Sequence, residues 1–286
     1  MIEIPADFNK KLLEKFPHDP TIKQRKLLTL LSDFIFNENK NALFLLKGYA
    51  GTGKTTTIGT FVNSLWTAGK KSVLLAPTGR AAKVISLYSE KPAFTIHKKI
   101  YFPKKQSNGS VAFVLQPNKH TNTVFIVDEA SMIPDGRQNQ QLFDSSSLLD
   151  DLISYVYSGV NCKLIFIGDT AQLPPVKLSV SPALEKDTLI YDYHKEVTEI
   201  ELDEVMRQHE DSGILANATA LRLLLKNEDE KFQFDVDFAD IERLEDGYDI
   251  EDAIVSAYES DGVEDTAFIV RSNKRANEYN QQIRYN

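Results

Sequence analysis

Apolar residues recur at helical spacing between Thr21 and Asn37, at Ile22, Leu27, Leu28, Leu30, Leu31, Phe34 and Ile35, which predicts a helix with one buried face. The short apolar run Ala42–Leu46 follows, then a glycine-rich turn, then helical spacing from Thr55 to Thr67. The same alternation repeats downstream. Val73–Ala76 reads as a strand and Gly79–Tyr88 as a helix. Val124–Val127 reads as a strand ending in two acids, Leu148–Tyr157 as a helix and Leu164–Ile167 as a further strand. Short, fully apolar strands alternating with helices predict an α/β fold whose parallel sheet is covered by helices on both faces.

Between Ile100 and Thr123 the pattern changes. Tyr101–Phe102 and Val111–Leu115 flank the turn-rich stretch Lys104–Ser110, which predicts a short inserted β-hairpin at about 101–123. Asp135–Ser147 reads as a polar loop. Asn227–Asp265 is strongly acidic and reads as the link into a second unit, with a strand at Thr266–Arg271 and a helix starting at Asn273. The expected division is a first lobe over 1–205, then a linker and a second unit over 206–286.

Composition narrows the class. The 286 residues suffice for one large domain or two ordinary ones. There is no apolar run of membrane-spanning length and no apolar signal core at the N-terminus. A single cysteine, Cys162, rules out a disulfide framework, so a cytoplasmic protein without membrane association is expected. The net charge of −8 hides an asymmetry: residues 1–120 carry a net +12 and residues 121–286 a net −20. A basic N-terminal half suits a polyanion partner, and it equally suits a solvated surface.

Gly48-Tyr-Ala-Gly-Thr-Gly-Lys54-Thr55 matches the phosphate-loop pattern, and it lies between a predicted strand and a predicted helix, as that loop requires. Gly51 and Gly53 permit the tight turn that aims successive N–H groups at phosphate oxygens. The helix N-terminus adds partial positive charge. Lys54 is placed to reach the β- and γ-phosphates and Thr55 to ligate Mg²⁺. Gly48, Ala50, Gly51, Thr52, Gly53, Lys54, Thr55 and Thr56 are therefore the expected nucleotide contacts. After the third strand, Asp128 suits Mg²⁺ through water and Glu129 suits a general base for water. Gln172, in Gly168-Asp-Thr-Ala-Gln-Leu-Pro-Pro175, suits a γ-phosphate sensor; the competing reading is an exposed loop amide.

Five ordered segments, GYAGTGKTTT, APTGRAAKV, VDEASMI, GDTAQLPPV and LDEVMRQ, together resemble the superfamily 1 DNA helicases of the RecD-like and Dda-like branch. The resemblance spans nearly all of residues 20–285. It implies a RecA-like P-loop NTPase fold and an ATP-driven motor that tracks 5′→3′ on single-stranded DNA, with ATP and Mg²⁺ as cofactors, and a monomer is expected. It also implies that Gln24 reads adenine, against the alternative of an exposed helical glutamine. It implies that Arg207 reaches the γ-phosphate, against the alternative of an ion pair with Glu204 or Glu210. DNA contacts fall on Pro77, Thr78, Gly79, Arg80, Thr95 and His97. Phe94, Tyr101 and Phe102 offer either stacking faces for bases or packing for the hairpin, and Phe113 or Tyr101 is a candidate duplex-splitting pin.

The resemblance is incomplete. Phe268–Asn277 resembles the first strand and helix of the family's second lobe, and the later motifs of that lobe do not appear. The expectation is a motor truncated within its second lobe, which binds ATP but unwinds little. The alternative is a module that uses ATP as a switch to hold nucleic acid without moving on it.

Overall fold

The computed structural model describes residues 4–105, 111–134, 147–204, 212–227, 231–263 and 265–285. The chain divides into two compact units, Met1–Gln208 and His209–Asn286.

The first unit is built on six parallel strands: β1 (Ala42–Gly48), β2 (Lys71–Ala76), β3 (Ala93–Thr95), β6 (Thr123–Val127), β7 (Lys163–Gly168) and β8 (Glu196–Leu202). They lie in the order β3-β2-β6-β7-β1-β8. A separate antiparallel pair, β4 (Tyr101–Lys105) and β5 (Val111–Leu115), forms the hairpin, with Pro103 opposite Phe113. Side chains alternate across a strand, and β1 shows the consequence. Phe44 and Leu46 enter one apolar core with Phe8, Leu12, Leu27, Leu31 and Phe61. Leu43 and Leu45 enter a second core with Phe125, Leu149, Leu152 and Phe166. The first core is covered by α1 (Pro5–Lys15), α2 (Ile22–Phe36), α3 (Lys54–Ser64) and α4 (Gly79–Ser89). The second is covered by α5 (Ile96–Ile100), α6 (Leu148–Tyr157) and α7 (Lys186–Tyr191). Burial on both faces is why the strands read as apolar runs rather than alternating ones.

The helices start where side chains can satisfy free N–H groups. Thr21 and Gln24 form a reciprocal capping box on α2, and Ser147 and Asp150 form another on α6. Lys163 opens β7 with only 9% of its surface exposed. Its ammonium donates to the Asn37 carbonyl that ends α2, at 2.7 Å, and sits 5.0 Å from the Phe34 ring centre. Burial, helped by the Lys70 charge and opposed by Glu196, pushes this ammonium down to about 8 from its ordinary 10.5. The unfolded chain therefore holds the proton more tightly. The folded state bears this cost in full below pH 8 and is relieved of it as the pH rises toward 10.5. The difference in thermal midpoint between wild type and Lys163→Met is expected to move in favour of wild type between pH 8 and pH 10. A difference independent of pH over that range contradicts this.

The second unit holds α8 (Gly213–Asn227), α9 (Gly247–Ser260) and α10 (Asn273–Tyr285). Its acids act partly as caps. The Asp240 carboxylate accepts from the Ser212 hydroxyl and the Gly213 N–H, each at 2.8 Å. Asp246 caps α9. Asn217 ties α8 to the Asp235 backbone through two hydrogen bonds of 2.7 and 2.8 Å. The strand expected at Thr266–Arg271 is irregular backbone with Ile269 exposed. Among the described residues of this unit there is no strand for it to pair with, and an apolar run without a ladder partner cannot hold its backbone groups as a strand. No helix among the described residues is long and apolar enough to cross a membrane.

Candidate nucleotide and strand site

The loops after β1, β2, β6 and β7 leave the C-terminal ends of parallel strands, so they meet along one edge of the sheet. This is where open α/β sheets bind ligands. The loop after β1 is shaped by two glycines that tolerate no side chain. A Cβ on Gly48 would lie 2.9 Å from the Leu202 carbonyl oxygen of neighbouring β8. Gly53 has φ +80° and ends the loop in a left-handed conformation just before α3. Thr52 is buried and its hydroxyl donates to the Tyr49 carbonyl at 2.8 Å. The Lys54 ammonium donates to the carbonyls of Gly48 and Tyr49 at 2.5 and 2.7 Å, so it sits over the mouth of the loop. Ala50, Gly51 and Thr55 are exposed there, and Thr56 is half-buried.

Gln24 is 1% exposed, not a surface residue. Its Oε1 accepts from the Thr21 N–H at 3.0 Å, and its Nε2 donates to the Thr52 carbonyl at 3.1 Å. The amide thus caps α2 and braces the glycine loop at once. The Thr21-x-x-Gln24 spacing carried the capping half of this signal; the brace joins residues 28 apart and had none.

The acids after β6 are held from several sides. The Asp128 Oδ1 accepts from the Glu129 N–H at 2.9 Å, and its Oδ2 accepts from the Tyr88 hydroxyl at 2.7 Å. Tyr88 was not among the expected site residues, because it lies 40 positions away in the chain. Burial and then Asp128 push its hydroxyl far above the ordinary phenol range, which keeps it a donor. Glu129 adopts φ +54°, a left-handed conformation that costs a non-glycine residue about 1–3 kcal/mol and concentrates at functional sites. Burial, followed by Asp128, raises its carboxyl above the ordinary range; Lys54 and a Gln172 hydrogen bond oppose this. Gln172 is exposed and its Oε1 accepts from the Ser131 hydroxyl at 3.3 Å. Asp169, nearly buried, accepts from the Ala171 N–H at 2.8 Å and fixes the turn that carries Gln172.

The strand candidates cluster on the first turns of α4 and α5. Thr78 caps α4 by accepting from the Ala81 N–H, and Thr95 caps α5 by accepting from the Lys98 N–H, each at 3.2 Å. Gly79 and Arg80 are exposed, and Pro77 is half-buried. Thr78 and Arg80 line a cavity of about 360 Å³ together with Asp128, Glu129 and Gln172. Gly79, Thr95, Lys83, Lys98 and Phe94 line a neighbouring concavity of about 380 Å³. His97 is half-buried, which lowers its imidazole pKa, and its ring lies 5.8 Å from that of Tyr101. Tyr101 is 7% exposed and donates to the buried Asp151, which makes it a packing residue. Phe113 packs against the second core, Phe94 lies beneath Lys99, and Phe102 is partly exposed. Arg207 lies outside the described residues.

A glycine loop after an interior parallel strand, with a carboxylate pair ending a strand two positions away, defines a P-loop nucleoside-triphosphatase core. The chain belongs to the AAA domain family, whose model matches residues 35–236. Three curated relatives share about a third of their aligned residues with it. The RecBCD subunit RecD of Buchnera aphidicola is 31% identical over 59% of this chain and 27% of its own length. The ATP-dependent RecD2 DNA helicase of Deinococcus radiodurans is 32% identical over 47% of this chain and 16% of its own. The ATP-dependent DNA helicase Dda of phage T4 is 31% identical over 62% of this chain and 37% of its own. The match thus covers well under two thirds of each relative.

Proposed function

We propose that this chain is the ATP-binding lobe of an ATP-dependent DNA helicase or translocase, joined to the beginning of a second lobe, and that the complete motor moves 5′→3′ on single-stranded DNA. One observation carries the reading: Thr78 and Arg80, at the start of α4, share a single cavity with Asp128, Glu129 and Gln172. Polyanion-binding groups and hydrolytic groups that line one cavity suit a machine in which strand and nucleotide affect each other. The three relatives' names, two of them helicases that depend on ATP, support the same reading.

In this proposal the N–H groups of the Gly48–Thr55 loop hold the phosphates and Lys54 turns from the Gly48 and Tyr49 carbonyls to the β- and γ-phosphates. Gln24 meets adenine by turning its amide away from the Thr52 carbonyl that it braces without nucleotide. Among the described residues no group of three His, Cys, Asp or Glu side chains converges. Mg²⁺ binds one or two protein oxygens and takes the rest from phosphates and water. Thr55 and Asp128 would supply those oxygens, and the ion when bound would neutralise phosphate charge. Glu129 accepts the proton of the attacking water, Gln172 orients that water, and Arg207 offsets charge on the γ-phosphate. The hydroxyls of Thr78 and Thr95, the Arg80 guanidinium and His97 hold the strand through its phosphates.

Strand binding by this chain is tested with a labelled oligothymidylate by fluorescence anisotropy. Arg80→Ala is expected to weaken binding severalfold and to lower the slope of log affinity against log salt by about 0.7, the loss of one phosphate contact to a single strand. An unchanged affinity and slope would remove Arg80 from the strand path.

A further inference from the structure

The metal acid is not held by its own strand alone. Tyr88 sits in the last turn of α4, the helix whose first turn carries Thr78 and Arg80. Its hydroxyl donates to the Asp128 Oδ2 at 2.7 Å while the Glu129 N–H holds Oδ1 at 2.9 Å. With one fixed donor on each oxygen, the carboxylate plane cannot turn freely, and the remaining lone pairs point in set directions. Tyr88 also lines a concavity of about 470 Å³ with Thr55, Thr56 and Thr60. Tyr88 thus bonds to one of the two residues proposed to hold Mg²⁺ and shares a concavity with the other. Its backbone is pinned as well: a Cβ on Gly59 of α3 would lie 3.1 Å from the Tyr88 carbonyl oxygen, so α3 and α4 are in close contact at this point.

We propose that Tyr88 is a positioning residue for the metal-dependent step. It orients the Asp128 carboxylate toward Mg²⁺ and ties that carboxylate to the rigid helix that carries the strand contacts at its other end. The inference rests on the ATP-binding role proposed above and adds a residue to it. Donors behind a metal-binding carboxylate commonly change metal affinity by 10- to 100-fold when removed, and Tyr88→Phe removes the hydroxyl while keeping the ring that packs against the first core.

The test uses this chain and a fluorescent ATP analogue, measured once in EDTA and once across a Mg²⁺ titration. For Tyr88→Phe the analogue affinity in EDTA is expected to match wild type. The Mg²⁺ concentration giving half of the metal-dependent gain in affinity is expected to rise about tenfold. In an Asp128→Asn background the same substitution is expected to add nothing, because the oriented carboxylate is already gone. An unchanged Mg²⁺ requirement overturns the proposal and leaves the ATP-binding reading standing. Equal losses with and without metal also overturn it, since they mark a purely structural residue. Wild-type protein that binds no analogue in either condition sinks both readings.

Discussion

Lys54→Ala is expected to lower the affinity of the chain for ATP by about a hundredfold. The ammonium lies at the mouth of the glycine loop, bonded to the carbonyls of Gly48 and Tyr49 at 2.5 and 2.7 Å. It is the one strong donor that the loop adds to its backbone N–H groups. Two charge-assisted hydrogen bonds to phosphate oxygens, each worth about 1.5–3 kcal/mol, account for a loss of that size after the exchange with water and loop carbonyls is counted. The loop itself should persist, since Gly48, Gly53, Thr52 and Gln24 still hold its turn when the two lysine bonds to its exposed mouth are lost. Calorimetric titration with ATP checks the affinity, and an unchanged thermal midpoint without nucleotide checks the loop. Full affinity in Lys54→Ala would move the phosphates elsewhere.

Glu129→Gln has the other large effect, and on a different quantity. Removing a general base typically lowers turnover by about 10²–10⁴-fold, while the amide keeps the size, the left-handed backbone and the Gln172 contact of the carboxylate. ATP should therefore still bind and its hydrolysis should stop. The carboxyl of Glu129 is raised chiefly by burial and next by Asp128, so the folded state holds the proton more tightly than the unfolded chain does. The associated stability is present at low pH and lost as the pH rises through the raised value. Glu129→Gln should accordingly be more stable than wild type at neutral pH, seen as a higher thermal midpoint without nucleotide. Turnover near the wild-type rate would show that another group takes the proton.

The two predictions draw on different depths of the sequence. Four strands were legible because they are short apolar runs ending in residues with chemistry: β1 at the glycine loop, β2 at Pro77–Arg80, β6 at Asp128–Glu129 and β7 at Gly168–Asp169. The hairpin was legible from a break in that rhythm. Strand β8 was not, because Glu196, Glu199 and Glu201 interrupt its apolar residues, as an edge strand with only Ile200 and Leu202 deeply buried allows. Strand β3 has three residues and leaves almost no pattern. The apolar run at Thr266–Arg271 shows the converse, since a strand-like pattern forms no strand without a neighbour.

The site divides along the same line. The residues of the phosphate loop and the acids are contiguous in sequence, so spacing alone was enough to propose them. The bracing of Thr52 by Gln24 and of Asp128 by Tyr88 joins distant segments, and only the folded helices α2 and α4 bring those pairs together. Tyr101 illustrates how burial decides between readings. Its ring served equally as a stacking face or as packing in sequence terms, and its 7% exposure and its bond to Asp151 assign it to packing.

The most direct test of the motor reading is ATP hydrolysis with and without single-stranded DNA, by a version of the protein that spans the full length of its helicase relatives. The account predicts slow turnover alone, strong stimulation by an oligothymidylate, and loss of both in Lys54→Ala. Turnover that ignores the strand, or survives Lys54→Ala undiminished, would contradict it.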